Sequence, residues 1–134
     1  MVACLEGRPV VLLDTHCVVF LHAGETGLFG ETVRHLLDTE DLFVSPMVLL
    51  ELQYLHEIGR IGFNGETIVR DLREELGLHI LERRWFDVCA KATALSWTRD
   101  PFDRLITAQA LIEGQRLLTK DRTIREHCSL AFWD

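Results

Sequence analysis

Five carboxylates in this chain stand where an acidic side chain needs a reason. Asp14 directly follows a short apolar run, Val10–Leu13, and Asp121 follows Leu117–Thr119 with only Lys120 between. Asp100 and Asp103 flank a proline at what reads as the start of a helix. Glu51 lies inside the helical stretch Val48–Leu55, between Leu50 and Leu52. Acids gathered in one place repel one another, and such a cluster is stable mainly when divalent cations neutralise it. Oxygen-only ligands favour a hard ion, magnesium or manganese, over zinc. The chemistry that commonly uses this arrangement is phosphodiester hydrolysis, in which the ions activate water and stabilise the attacking and leaving oxygens.

Each acid also has a structural reading. Asp14 could cap a helix starting at Thr15, Asp121 could cap a short helix after it, and Asp100 with Pro101 behind it is a good N-cap. Asp103 would then sit in the first turn, where a negative charge favours the helix dipole. Glu51 is at no helix end. It either faces solvent from the polar side of its helix or sits beside the core, where a carboxylate must be paired or bind a cation. The lone histidines His16 and His22 read as structural.

These positions need elements to bring them together. Pro9–Leu13, Leu42–Val44, Leu78–Leu81, Leu117–Thr119 and Leu130–Trp133 read as short apolar strands. Between them lie helical stretches: Thr15–His22, Glu31–Leu37 with Val33, Leu36 and Leu37 on one face, a helix from Ser45-Pro46 to about Ile58, Glu66–Leu76, Trp85–Ser96, one from Asp100-Pro101 to near Gly114, and Arg122–Glu126. In Trp85–Ser96 the expected inner face is Phe86, Cys89, Ala90 and Thr93. Gly24, Gly27 and Gly30 punctuate a loop. Strands alternating with helices indicate an α/β fold around a mostly parallel sheet. Ligand sites in such sheets lie beyond the carboxyl ends of the strands, which is where Asp14 and Asp121 are expected.

The bulk properties fit this picture. A chain of 134 residues suits a single domain, 1–134, with a buried core. No apolar run approaches the roughly 18–20 residues that span a bilayer, and no signal peptide is evident, so the expected compartment is the cytoplasm. Cys4, Cys17, Cys89 and Cys128 lack zinc-finger or C-x-x-C spacing and read as reduced thiols. The net charge of −7 argues mildly against a nucleic-acid partner held by bulk electrostatics. The whole imbalance falls in residues 1–67, with three basic and ten acidic residues, whereas residues 68–134 hold eleven of each. Twelve of the fourteen basic residues are arginine, the better residue for bidentate phosphate contacts.

Four segments, Val11–Cys17 (VLLDTHC), Ser45–Leu52 (SPMVLLEL), Arg99–Ala110 (RDPFDRLITAQA) and Leu117–Asp121 (LLTKD), resemble in order and spacing the acid-bearing motifs of PIN-domain nucleases. The likeness is nearest to toxins of VapBC-type toxin–antitoxin pairs, and DPFDRLITAQA is its most specific piece. The resemblance implies a three-layer α/β/α sandwich and endonucleolytic cleavage of RNA dependent on Mg2+ or Mn2+. It places the catalytic, metal-binding acids on Asp14, Glu51, Asp103 and Asp121, with Asp100 as an additional candidate and Thr15 and Thr119 as supporting hydroxyls. It also implies a small antitoxin that inserts a basic residue into the acidic pocket, and a homodimer. Arg104, Lys120 and Arg122 are candidate phosphate contacts. Two features depart from the family pattern: Met1–Arg8 precedes the first strand as an extension, and Thr98 stands where a histidine is frequent.

Two other readings compete. A phosphoacceptor receiver domain shares the sheet, the clustered aspartates and a lysine near the last strand, as Lys120 is. It requires a pair of adjacent acids after the first strand, and only Asp14 is there. A catalytically silent domain of the same fold would not need all four acids.

Overall fold

The computed structural model describes residues 9–134; Met1–Arg8, including Cys4, lies outside the described residues. The chain runs β1 (Val10–Leu13), α1 (Thr15–Ala23), a single 3-10 turn at Thr26–Leu28, α2 (Glu31–Thr39), β2 (Asp41–Val44), α3 (Pro46–Glu57), α4 (Gly65–Leu76), β3 (His79–Ile80), α5 (Trp85–Ala92), α6 (Pro101–Glu113), β4 (Arg116–Leu118), α7 (Arg122–His127) and β5 (Ala131–Phe132). The five strands form one sheet in the order β3-β2-β1-β4-β5, and every pairing is parallel. All four residues of β1 are buried, as a central strand covered by helices on both faces must be. Packing of α/β layers over Val11, Leu12, Leu13, Phe43, Leu52, Leu117 and Leu118 makes the core. The expected sandwich is therefore present, with a sheet that is wholly parallel.

The topology fixes where a site can form. From β1 the chain winds outward through β2 and β3, then crosses back so that β4 pairs with the other side of β1. The carboxyl ends of β1 and β4 flank the point where the winding reverses, and that crevice is where such sheets take ligands. The N–H of Asp14 donates to the carbonyl of Leu118, extending the β1–β4 ladder by one residue and setting Asp14 at its mouth.

Most helix starts follow from local chemistry. Ser45 accepts the Met47 N–H with Pro46 behind it, Asn64 accepts the Thr67 N–H, and Asp100 accepts those of Phe102 and Asp103. One cap is not local. The residue before α2 is Gly30, which has no side chain, and the Asp134 carboxylate accepts the Thr32 and Val33 N–H groups at 2.9 and 3.1 Å. A Cβ at Gly30 would stand 2.5 Å from Asp134 Oδ1.

The helix from Trp85 corrects an expectation. Its buried residues are Val88 and Ala92, packed on Ala108 of α6, not the set Phe86, Cys89, Ala90 and Thr93; Phe86 is 83% exposed. The stretch has apolar residues on both sides, and packing on α6 buries the Val88 and Ala92 side. It also ends at Ala92 rather than Ser96. Cys17 and Cys128 are buried free thiols and Cys89 is a half-buried one.

Gly65 marks the closest approach of α4 to α3. A Cβ there would lie 2.6 Å from the Leu49 carbonyl oxygen and 3.2 Å from the Gln53 nitrogen, both backbone atoms of the helix that carries Glu51. Gly65→Ala must push the two helices apart. The expected cost is about 1–3 kcal/mol, which for a domain of this length lowers the melting temperature by roughly 4–12 °C. A thermal melt with no loss of stability would contradict this close contact.

Candidate active site

Asp14 is the N-cap of α1 and is almost wholly buried. Its Oδ1 accepts the Thr15 N–H at 2.8 Å, and its Oδ2 accepts the Thr119 hydroxyl at 2.6 Å. Thr119 is the residue after β4, so this bond ties the ends of the two central strands. The Thr119 Oγ1 also accepts the Asp121 N–H at 3.1 Å. Asp121 in turn caps α7, with Oδ1 accepting the Ile124 N–H at 3.0 Å.

Glu51 comes to the same place from α3. Only 9% of it is exposed, and its Oε1 accepts the Thr15 hydroxyl at 2.5 Å. Its neighbours diverge: Leu52 is fully buried and Leu50 is 54% exposed. Of its two expected placements, Glu51 therefore takes the one beside the core. Asp103 follows from the first turn of α6, where Asp100 Oδ1 accepts both its N–H and that of Phe102. Capping and clustering are thus not alternatives here. In Asp121 and Asp100 one oxygen holds the helix start while Oδ2 makes no further hydrogen bond among the described residues.

The electrostatics show that the acids share one field. Burial raises the Asp14 carboxyl above its ordinary range; hydrogen bonds from Thr119 and Thr15 and the nearby His16 oppose this, and Asp121 adds to it. Glu51 is raised first by burial and then by Asp14 and Asp100, against the Thr15 hydrogen bond. Asp103 is pushed up to about 7 by burial and by the charges of Asp100, Asp14, Asp121 and Glu51. None of the five acids forms an ion pair with a lysine or arginine among the described residues, although Arg83–Glu113 and Arg116–Glu40 show that the fold builds such pairs elsewhere.

These residues suit a hard divalent cation by donor type: five carboxylates, two hydroxyls, no thiolate, and a surplus of negative charge that no lysine or arginine among the described residues pairs with. No three Asp, Glu, His or Cys side chains among the described residues are arranged to hold one ion as they stand. The Thr15 and Thr119 hydroxyls donate to Glu51 and Asp14.

Of the expected phosphate contacts, Lys120 is exposed and lies over the Phe20 ring, 5.9 Å from its centroid. Arg104 Nε donates to the Thr98 carbonyl at 2.8 Å and supports the loop before α6. Arg122 pairs with Glu126. His22 is structural, 2.8 Å from Asp71 across α1 and α4. His16 is not: it is exposed and close enough to Asp14 and Glu51 for their charges to interact. Its place two residues after Asp14, on the first turn of α1, was the available signal.

Comparison with known proteins agrees with the fold. The family model described as PIN domain matches residues 11–130. Ribonuclease VapC22 of Mycobacterium tuberculosis is 34% identical over 120 residues, 87% of this chain and 91% of that protein. Among solved structures, VapBC2 from Rickettsia felis bound to a DNA fragment from its promoter superposes with a TM-score of 0.68 at 20% identity, covering 93% of this chain and 99% of the other. VapBC-1 from nontypeable Haemophilus influenzae gives 0.65 at 19% identity, covering 93% and 96%.

Proposed function

The chain belongs to the PIN-domain family, in its VapC-type branch, and we propose that it is an endoribonuclease that hydrolyses RNA phosphodiester bonds with Mg2+ or Mn2+ as the toxin of a toxin–antitoxin pair. The observation that carries this reading is the convergence of Asp14, Glu51, Asp103 and Asp121 at the switch point of the sheet, two of them buried and none paired with a lysine or arginine among the described residues. These four would hold the ion, with Asp100 contributing charge from its cap position. Bound there, the ion would supply a water of lowered pKa and neutralise charge developing on the phosphate.

The protein's own groups do the positioning. Thr119 and Thr15 hold Asp14 and Glu51 by hydroxyl hydrogen bonds, so that their carboxylates are fixed before substrate arrives. The N-termini of α1, α6 and α7 start at Asp14, Asp100 and Asp121, and their partial positive charge lowers the cost of bringing acids together. Lys120, Arg104 and Arg122 stand for the phosphates.

A protein partner is supported by apolar side chains at the surface. Leu50 and Tyr54, one turn apart on α3, and Ile58 at its C-cap are each about half exposed, and beside them a groove of about 450 Å3 lined by Pro46, Leu49 and Leu50 runs toward α4. On this reading the chain forms a homodimer and binds a small antitoxin that places a basic residue among the acids. No helix among the described residues is long and apolar enough to cross a membrane, consistent with action in the cytoplasm.

The reading is tested by incubating purified protein with total cellular RNA and manganese, with and without chelator, and sequencing the new ends. Discrete cuts that vanish with chelator are expected. RNA left intact in manganese would refute the activity.

A further inference from the structure

The rim of the acid cluster on the α1 side is aromatic and cationic. His16 and Phe20 lie one turn apart on α1, with ring centroids 6.4 Å apart. Lys120, leaving β4, carries its ammonium over the Phe20 ring. Behind Phe20 stand Trp133 and Phe29, each with its ring centroid 6.4 Å from that of Phe20 and 5.6 Å from each other. That three-ring packing fixes Phe20, while His16 in front is exposed. The cation beside it is also available. Lys120 pairs with no carboxylate among the described residues, and Arg125, whose guanidinium donates to the Lys120 carbonyl at 3.2 Å, adds a second positive group to the same edge.

A ring platform beside a lysine is how proteins take a nucleotide of a single strand: the base stacks, and the phosphate meets the charge. A base held in a duplex has no free face to offer. We propose that His16, Phe20 and Lys120 form a one-nucleotide subsite for single-stranded RNA next to the acid cluster. The base lies against the His16 ring with Phe20 behind it, and Lys120 takes the adjoining phosphate. The subsite supplies local attraction that a chain of net charge −7 lacks overall. It rests on the ribonuclease reading for its substrate, and the test separates the two.

A six-nucleotide single-stranded RNA carrying 2-aminopurine, whose emission falls when the base stacks, is titrated into the parent, His16→Ala, Phe20→Leu and Lys120→Gln in calcium buffer. The same proteins are then assayed for cleavage of the unlabelled RNA in manganese. The parent quenches the probe. His16→Ala and Phe20→Leu bind about tenfold more weakly and lose the quench, as expected for the loss of one stacked base. Lys120→Gln also binds about tenfold more weakly but keeps the quench, and its log–log salt dependence is shallower by about 0.7. In cleavage, KM rises by a similar factor while kcat stays within about threefold.

His16 and Lys120 are exposed, so their variants report on the subsite even where Phe20→Leu melts early. Absence of quenching by the parent, or binding within twofold of the parent in the His16 and Lys120 variants, overturns the subsite even in a protein that cuts RNA. The expected binding pattern in a parent that cuts nothing keeps the subsite and removes the ribonuclease reading.

Discussion

Asp14→Asn is expected to lower metal-dependent RNA cleavage by a factor of about a thousand or more, a loss of roughly 4 kcal/mol of transition-state stabilisation. Asp14 is the acid at the centre of the cluster. It is the most deeply buried of the five, it ends the middle strand, and it joins β1 to β4 through Thr119. Asparagine keeps the shape and can still bond Thr119, but it removes the charge that would hold the cation. The same change should stabilise the ion-free fold, because the native carboxyl is buried against its preference for water and beside Asp121. A higher melting temperature together with lost activity is the signature of a group kept for chemistry at the expense of stability. A variant that cleaves as fast as the parent would remove Asp14 from the site; one that is inactive only because it unfolds would show a lower melting temperature.

The second large effect is on stability against pH and divalent ions. Asp103 has a folded-state pKa of about 7 against an ordinary 3.8, and Asp14 and Glu51 are shifted in the same direction. A carboxyl raised in this way holds its proton more tightly when folded. Below its unfolded pKa both states are protonated and it has no effect on stability. As pH rises from about 4 to about 7 the unfolded chain ionises first, so this group's contribution falls; above 7 the loss is complete and constant. The clean measurement is a difference between proteins, in which every other titrating group is held constant. Asp103→Asn should gain on the parent in unfolding free energy between pH 5 and pH 8, by an amount on the order of 1–2 kcal/mol once solvent screening of a half-buried carboxyl is allowed for.

Millimolar manganese should reverse the loss in the parent. Binding to the folded state alone stabilises by about 2.7 kcal/mol at a hundred times Kd, and the effect should be larger at pH 8 than at pH 5, where protons compete for the same oxygens. An ion-independent melting temperature at pH 8 would remove the metal from the proposal while leaving the fold intact.

Much of this was legible in the residues. Strands of three or four apolar residues ending in Asp14 and just before Asp121 place two acids at one sheet edge. Ser45-Pro46 and Asp100-Pro101 start the helices that bring Glu51 and Asp103. These signals are local, and local chemistry decides where helices begin. What escaped were effects of long range. The inner face of α5 was set by its packing on Ala108, Leu105 and Ile112 of α6, not by its own apolar pattern. The cap of α2 comes from Asp134, about a hundred residues away. His16 looked like any lone histidine; its place two residues after Asp14 was the one signal, and it gains weight only once α1 is known to leave that ring exposed. The contest between capping and clustering was also undecidable from sequence, because a carboxylate has two oxygens and Asp100 and Asp121 spend only one on the helix.

The place of β4 beside β1 sets a timetable for synthesis. Chains emerge N-terminal part first, so β1, β2 and α3 exist, with Asp14 and Glu51, long before residue 103 is added. Until Thr119 arrives there is no hydroxyl to hold Asp14, and the strand that completes the crevice is still unmade. The β4 side of the crevice, with Thr119 and Asp121, is therefore the last part of the site to be made. Before then Asp14 and Glu51 can already meet through Thr15, but without the β4 wall or the acids at 103 and 121.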